Sequence, residues 1–268
     1  MPPPASGAPP PDTLTPDAAS VFRVRGLSQV FKTGGGTAAL ERVNLDITEG
    51  ECLLLAGSNG SGKTLLMRCL AGLLSPSSGD IFYRGVPLSL VKDLHRRVGL
   101  VFQDPDSQIV GETVEEDIAF GPGNLGLSKP AVREKTESAI AAFGLEDKRD
   151  LSPRLLSGGE KRRLAAAGIA AMGCETVIMD EPFANLDYPG VLAVLSVIQG
   201  MKDEGKTIVI LTHELEKVLA LAGRLVILHR GTIRDDGEPE AVLGRLRDEW
   251  GVRDPRQNYV RAKDCSWL

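Results

Sequence analysis

Gly57-Ser58-Asn59-Gly60-Ser61-Gly62-Lys63-Thr64, with the apolar run Cys52 to Ala56 before it and Leu65 to Leu70 after it, decides the architecture. An apolar run that closes on a glycine-rich turn and opens into a helix is one strand–loop–helix unit of an α/β layer. Glycines let backbone N–H groups turn inward and wrap a polyphosphate, and the helix N-terminus adds its positive end. In this G-x-x-x-x-G-K-[ST] spacing Lys63 reaches the β- and γ-phosphates, and the Thr64 hydroxyl ligates Mg²⁺.

The flanking chain fits the same layer. Val43 to Ile47 reads as a strand joined to Cys52–Ala56 by a Glu49–Gly50 turn. Val98 to Phe102, Thr176 to Met179, Thr207 to Leu211 and Leu225 to Leu228 are short apolar runs, as in strands covered on both faces. Helix starts lie between them. Thr113-Val114-Glu115-Glu116 and Ser157-Gly158-Gly159-Glu160 both fit the capping box. Ser128 is an N-cap with Pro130 in the first turn, and Val132, Thr136, Ala139, Ile140 and Phe143 then share one face. Strands alternating with helices predict an α/β fold around a largely parallel sheet, with a helix-rich inserted lobe over about 113–152.

Composition narrows the function classes. The 268 residues suffice for one large domain or two small ones, and 42% hydrophobic with 25% charged is ordinary for a globular chain. Lys plus Arg less Asp plus Glu is 31 − 36 = −5, which argues against a nucleic-acid partner held by a basic surface. No apolar run approaches the roughly eighteen residues of a membrane span. Cys52, Cys69, Cys174 and Cys265 form no Cys-x-x-Cys pair, so neither a zinc site nor a disulfide framework is expected, and a reducing cytosol is. The first twenty residues hold Pro2, Pro3, Pro4, Pro9, Pro10, Pro11 and Pro16 and no basic residue before Arg23. They read as a disordered, polyproline-like tail rather than a secretory signal.

A second chemical signal is Thr176-Val177-Ile178-Met179-Asp180-Glu181-Pro182. A buried strand delivers two carboxylates to the carboxyl edge of the sheet, where ligands of open α/β sheets bind. Asp180 is placed to hold Mg²⁺, and Glu181 to take a proton from an attacking water.

Leu156-Ser157-Gly158-Gly159-Glu160-Lys161-Arg162-Arg163, a little upstream of Asp180, resembles the signature motif of ATP-binding-cassette (ABC) ATPases. The capping-box reading is compatible with it, since a helix start capped by Ser157 points free amides at an anion. The resemblance makes that anion the γ-phosphate of ATP held by an opposite subunit. The family's usual residue at position 160 is Gln, and Glu160 is expected to turn away from the phosphate. By the same resemblance Gln103 is the Q-loop glutamine that meets Mg²⁺ and faces a membrane partner. Asn185-Leu186-Asp187 is the D-loop crossing a dimer interface, and His213 is the switch histidine on the γ-phosphate. Phe31 is the aromatic that stacks on adenine, with its π face retained. His95 and His229 have no such place and are expected to be structural.

The resemblance spans residues 21–237, with the helical subdomain at about 104–157. It implies a P-loop ATPase of ABC type, a mostly parallel sheet flanked by helices, with an antiparallel β subdomain and a helical subdomain. The C-terminal extension 238–268 carries Trp250 and Trp267 and reads as either a dimerisation element or a docking patch.

Within the family, Gln103-Asp104-Pro105-Asp106-Ser107-Gln108, the acidic helix start after Thr113, and Asn124-Leu125-Gly126-Leu127 are similar to the ATPases of energy-coupling-factor importers. Those importers serve vitamin or cobalt/nickel uptake. Gly123 stands where that pattern usually has Glu, and Asp104 where it often has Asn. The implied partners are a second ABC ATPase subunit, an integral-membrane coupling protein and a substrate-binding membrane component, with the chain on the cytoplasmic face of the membrane. Glu112, Glu115, Glu116 and Asp117 either meet basic residues of the coupling protein or serve the helix N-terminus. Another ABC importer, a soluble cassette protein and a nucleotide-gated regulator are the remaining alternatives. Retention of Glu181 and His213 speaks against the regulator.

Overall fold

The computed structural model describes residues 20–30 and 38–256. The proline-rich tail up to residue 19, Phe31 with the glycine-rich stretch 32–37, Cys265 and Trp267 lie outside the described residues.

Two sheets carry the fold. β1 (Ser20–Val30), β2 (Ala38–Thr48), β4 (Ser78–Tyr83) and β5 (Val86–Pro87) form an antiparallel sheet in the order β2-β1-β4-β5. The second sheet comprises β3 (Cys52–Ala56), β6 (Val98–Val101), β7 (Thr176–Asp180), β8 (Thr207–Thr212), β9 (Arg224–His229) and β10 (Thr232–Gly237), ordered β10-β9-β3-β8-β7-β6. All its neighbours are parallel except β10 on β9. The helices are α1 (Lys63–Leu70), α2 (Val114–Asn124), α3 (Lys129–Ala142), α4 (Gly158–Met172), α5 (Tyr188–Asp203) and the short α6 (Leu215–Val218) and α7 (Pro239–Leu243).

The continuous apolar runs are explained by burial on both faces. Every residue of β3, β7 and β8 is buried. Alternation then sends successive side chains to opposite cores. Leu53 and Leu55 join Leu66, Val209 and Val226 beneath the antiparallel sheet, while Leu54 and Ala56 join Ile210, Leu164 and Ile198 beneath the helices. β1 is less legible as a strand because bulges interrupt its pairing with β2 between Val24 and Leu27 and again beyond, so its burial does not follow a period of two.

The helical lobe follows its start signals. Thr113 Oγ1 accepts from Glu116 N at 3.2 Å, and Ser128 begins α3 without a side-chain cap bond. Thr136, Ala139, Ile140 and Phe143 are buried, with Val132 half-buried beside them.

Past residue 237 the chain returns to the core. Val242, Leu243, Trp250 and Val252 pack into the helix-side cluster, and the Arg247 guanidinium lies 5.6 Å from the Trp250 ring centroid. Trp250 is therefore neither a docking patch nor an exposed dimerisation element. Gly251, at φ +65, lies so close to the phosphate loop that a Cβ there would meet Ser58 Cβ at 3.0 Å. No helix among the described residues is long and apolar enough to cross a membrane.

Candidate nucleotide site

Register places the chemistry at one sheet edge. Ala56 pairs with Thr212 and Asp180 with Leu211, so the chain leaves β3, β7 and β8 side by side at Gly57, Glu181 and His213. The loop after β3 is glycine-rich from necessity. A Cβ on Gly57 would lie 2.2 Å from Leu228 O, and one on Gly62, at φ +108, would lie 2.7 Å from Leu40 Cδ2.

Lys63 is buried and donates to Gly57 O at 2.6 Å and Ser58 O at 3.3 Å. Desolvation pushes its pKa down, opposed by the Glu181 and Asp180 carboxylates. Thr64 Oγ1 donates to Asp180 Oδ2 at 2.7 Å. Burial pushes the Asp180 carboxyl up, and the Thr64 bond pulls it back. A hydroxyl and a carboxylate converge here, with Gln103 lining the same cleft, and oxygen donors of this kind are those Mg²⁺ prefers. Ser61 Oγ is buried with no protein partner. This donor set fits a magnesium nucleotide. The cleft, about 310 Å³, is lined by Asn59 to Leu65 with Gln103, Asp180 and Glu181.

Glu181 is the most constrained of these residues. Its carboxylate accepts from Thr212 Oγ1 at 3.0 Å and His213 N at 3.4 Å, and His213 Nδ1 lies 2.8 Å from Oε1. Lys63 Nζ stands 4.0 Å from the same oxygen. The backbone of Glu181 is left-handed, at φ +49, and its N–H donates to Leu211 O at 2.8 Å. The His213 side chain is 50% exposed, so it bridges the buried carboxylate to the surface.

The remaining expected residues form a separate surface. Ser157 caps α4 with both arms of the box in place: Ser157 Oγ accepts from Glu160 N at 3.3 Å, and Glu160 Oε2 accepts from Ser157 N at 2.7 Å. The Glu160 carboxylate is thus occupied with its own helix start. Ser157 and Gly158 are exposed, and neither lines the cleft. Asp187 Oδ1 caps α5 by accepting from Gly190 N at 3.0 Å. A Cβ on Gly159 would lie 3.6 Å from Asn185 O, so the Ser157–Glu160 and Asn185–Asp187 segments are neighbours.

A groove of about 620 Å³ lies between Asp106–Glu112 and Ser152–Arg154. Of the acidic residues beside it, Asp117 faces inward, accepting from Val110 N at 2.7 Å and Gly111 N at 2.8 Å. Glu115 stands 3.9 Å from Arg149.

Two functional-site neighbours escape sequence reasoning. Thr212 is the last residue of an apolar strand, and Arg162 closes, with Lys161 and Arg163, the stretch that resembles the signature motif, where no role is expected of it. Both are buried against Glu181.

A glycine-rich loop opening α1, a bonded hydroxyl–carboxylate pair and a buried glutamate, all at one sheet edge, are the parts of a P-loop ATPase. The profile of the ABC transporter family matches residues 40–184. The chain is 39% identical over 217 residues to the energy-coupling factor transporter ATP-binding protein EcfA of Methanocaldococcus jannaschii, covering 80% of this chain and 78% of that one. It is 42% identical over 213 residues to the cobalt import ATP-binding protein CbiO of Rhodobacter capsulatus, covering 78% and 76%. The solved structure of cbiO1 from Clostridium perfringens, part of the ABC transporter complex cbiONQ, matches with a TM-score of 0.74 at 32% identity, covering 86% of this chain and 92% of that one. The chain belongs to the ABC transporter family.

Proposed function

We propose that the chain is the ATP-hydrolysing subunit of an energy-coupling-factor importer, powering uptake of a vitamin or of cobalt or nickel. The observation that carries the hydrolytic reading is the Glu181 carboxylate, held by Thr212 and His213 beside Lys63. Glu181 takes a proton from the water whose oxygen attacks the γ-phosphorus while the bond from that phosphorus to the β,γ-bridging oxygen breaks and ADP leaves, and His213 orients the carboxylate and reaches toward the γ-phosphate. Lys63 leaves the carbonyls of Gly57 and Ser58 for the phosphate oxygens. Thr64, Asp180 and Gln103 are the residues that would hold Mg²⁺. When bound, that ion would supply positive charge to offset the negative charge that develops on the phosphate oxygens.

The separation of Ser157–Gly159 from the cleft supports a dimeric enzyme. Each P-loop face is completed by the exposed helix start of a second subunit, so closure requires ATP and hydrolysis releases it. In this reading a segment of a membrane-embedded coupling protein docks in the groove beside Asp106 and Glu112, and the chain works peripherally on the cytoplasmic face. The similarity to EcfA and CbiO supports this narrower reading.

Affinity purification of the tagged chain from detergent-solubilised native membranes tests the proposal. A multi-spanning protein, a small substrate-binding membrane protein and a second cassette subunit are expected. Recovery solely from the soluble fraction, with no membrane protein attached, overturns the importer reading and leaves the ATPase reading standing.

A further inference from the structure

Arg162 lies one turn into α4 and is buried, unlike its neighbours Lys161 and Arg163. Its Nη1 donates to Glu181 O at 3.3 Å and also to Ala184 O, while Nη2 donates to Gln103 O at 2.7 Å. These carbonyls belong to two separate loops, one leaving β6 and one leaving β7. On the far side of the same loop Lys217 Nζ donates to Phe183 O at 3.4 Å and pairs with Glu214 at 2.6 Å. Backbone oxygens of residues 181, 183 and 184 are therefore all directed at cations. Burial works against the Arg162 charge, and Glu181, Asp104 and Glu214 sustain it.

The glutamate's backbone needs such a hold. A non-glycine residue at φ +49 is strained and persists only where its surroundings over-determine it. Here the surroundings are the Leu211 carbonyl, which accepts the Glu181 N–H, and the Ala184 N–H and Arg162 Nη1, which both donate to the Glu181 carbonyl.

We propose that Arg162 is a positioning residue for hydrolysis, which fixes the strained Glu181 backbone against the Gln103 loop. The guanidinium's donors lie in one rigid plane, so displacing the Gln103 carbonyl moves the fork and with it Glu181. The groove at Asp106–Glu112 begins three residues past Gln103, which makes Arg162 the link from that groove to the carboxylate. Lysine keeps the charge but is a single point donor and cannot span both loops.

The inference rests on Glu181 being the general base. The experiment compares full-length wild type, Arg162→Lys, Arg162→Gln and Glu181→Gln. It reads kcat, KM, the Kd of a non-hydrolysable ATP analogue and the thermal midpoint. Both Arg162 variants are expected to bind the analogue within about twofold of wild type, with kcat down about tenfold for lysine and approaching 10²-fold for glutamine, the scale set by misplacement of about 1 Å. A kcat within twofold of wild type in both variants overturns the proposal. So does a proportional loss of kcat, analogue affinity and thermal midpoint, or failure of both variants to fold, because each assigns Arg162 to stability alone. Glu181→Gln hydrolysing at the wild-type rate instead overturns the general-base reading, and this inference with it.

Discussion

His213 Nδ1 stands 2.8 Å from Glu181 Oε1, joining the ends of two adjacent parallel strands through one half-exposed ring and one buried carboxylate. The other carboxylate oxygen is taken by Thr212 Oγ1 and the His213 N–H, so the glutamate is fixed in rotation as well as position. With both oxygens partnered, the carboxylate of the proposed general base is held in place at low reorganisation cost.

Glu181→Gln preserves the shape of the side chain and removes its ability to take a proton. Turnover should fall at least 10²-fold, the lower end of general-base contributions. ATP binding should persist, and a closed ATP-bound dimer should accumulate. Phosphate release and size-exclusion chromatography with and without ATP check both halves; turnover at the wild-type rate would sink the assignment.

Lys63→Ala removes the cation that sits 2.6 Å from Gly57 O, in the proposed phosphate loop. Nucleotide affinity should drop far more than stability, because the bonds lost within the protein are confined to one loop while the ammonium is the group proposed to meet the phosphates. Wild type should gain thermal stability with ATP concentration and the variant should not. Equal protection of the two proteins by ATP contradicts the phosphate-loop reading.

Asp180→Asn tests the metal. The substitution keeps an oxygen near Thr64 Oγ1 but removes the charge, and the Asp180 carboxyl is already pushed up by burial. Nucleotide binding by wild type should strengthen when Mg²⁺ is added to a chelator-treated sample, and binding by the variant should barely change. In wild type that Mg²⁺ effect should weaken on acidification, since the proton competes for a carboxylate of raised pKa. A variant with the full Mg²⁺ response removes Asp180 from the ligand set.

The residues legible in the sequence are those whose spacing is dictated by a backbone shape. Gly57 to Thr64 and Ser157 to Glu160 are read correctly as a turn and a helix start because only those residue types tolerate that geometry. The parallel strands are equally legible, since burial on both faces leaves an unbroken apolar run. β1 is obscured by its bulges, and β10 and β5 by edge positions that need no apolar face. Arg162 and Thr212 are hidden for another reason. Their importance comes from which backbone carbonyls and carboxylates the fold brings to them, and no local pattern encodes that. Trp250 is hidden likewise, because a lone tryptophan in a polar stretch gives no sign that it folds back onto the core.

Trp250→Ala should therefore destabilise the whole domain, by about 3–5 kcal/mol, the usual range for removing a buried Trp. Gly251 abuts Ser58 of the phosphate loop, so ATP affinity should weaken along with the thermal midpoint. Chemical denaturation and nucleotide titration on the full chain measure the two effects. A loss under 1 kcal/mol would mean that the residues past 237 are not part of the folded unit.

Glu160 supplies the pH dependence. The bond it accepts from Ser157 N holds its carboxyl below the ordinary value of 4.5, with Lys148 and Arg163 adding to the effect. The unfolded chain therefore binds more protons in the window just below 4.5, so stability rises with pH there. The contribution is complete above that value and disappears as pH falls through the lowered one. Glu160→Gln keeps an oxygen acceptor for the capping bond but has no titration. The difference in thermal midpoint between wild type and this variant should be constant from pH 7 to about 5 and shift against wild type as the pH drops further. A difference that stays flat down to pH 3 would show that the box is held by geometry alone and that the carboxylate charge contributes nothing to the start of α4.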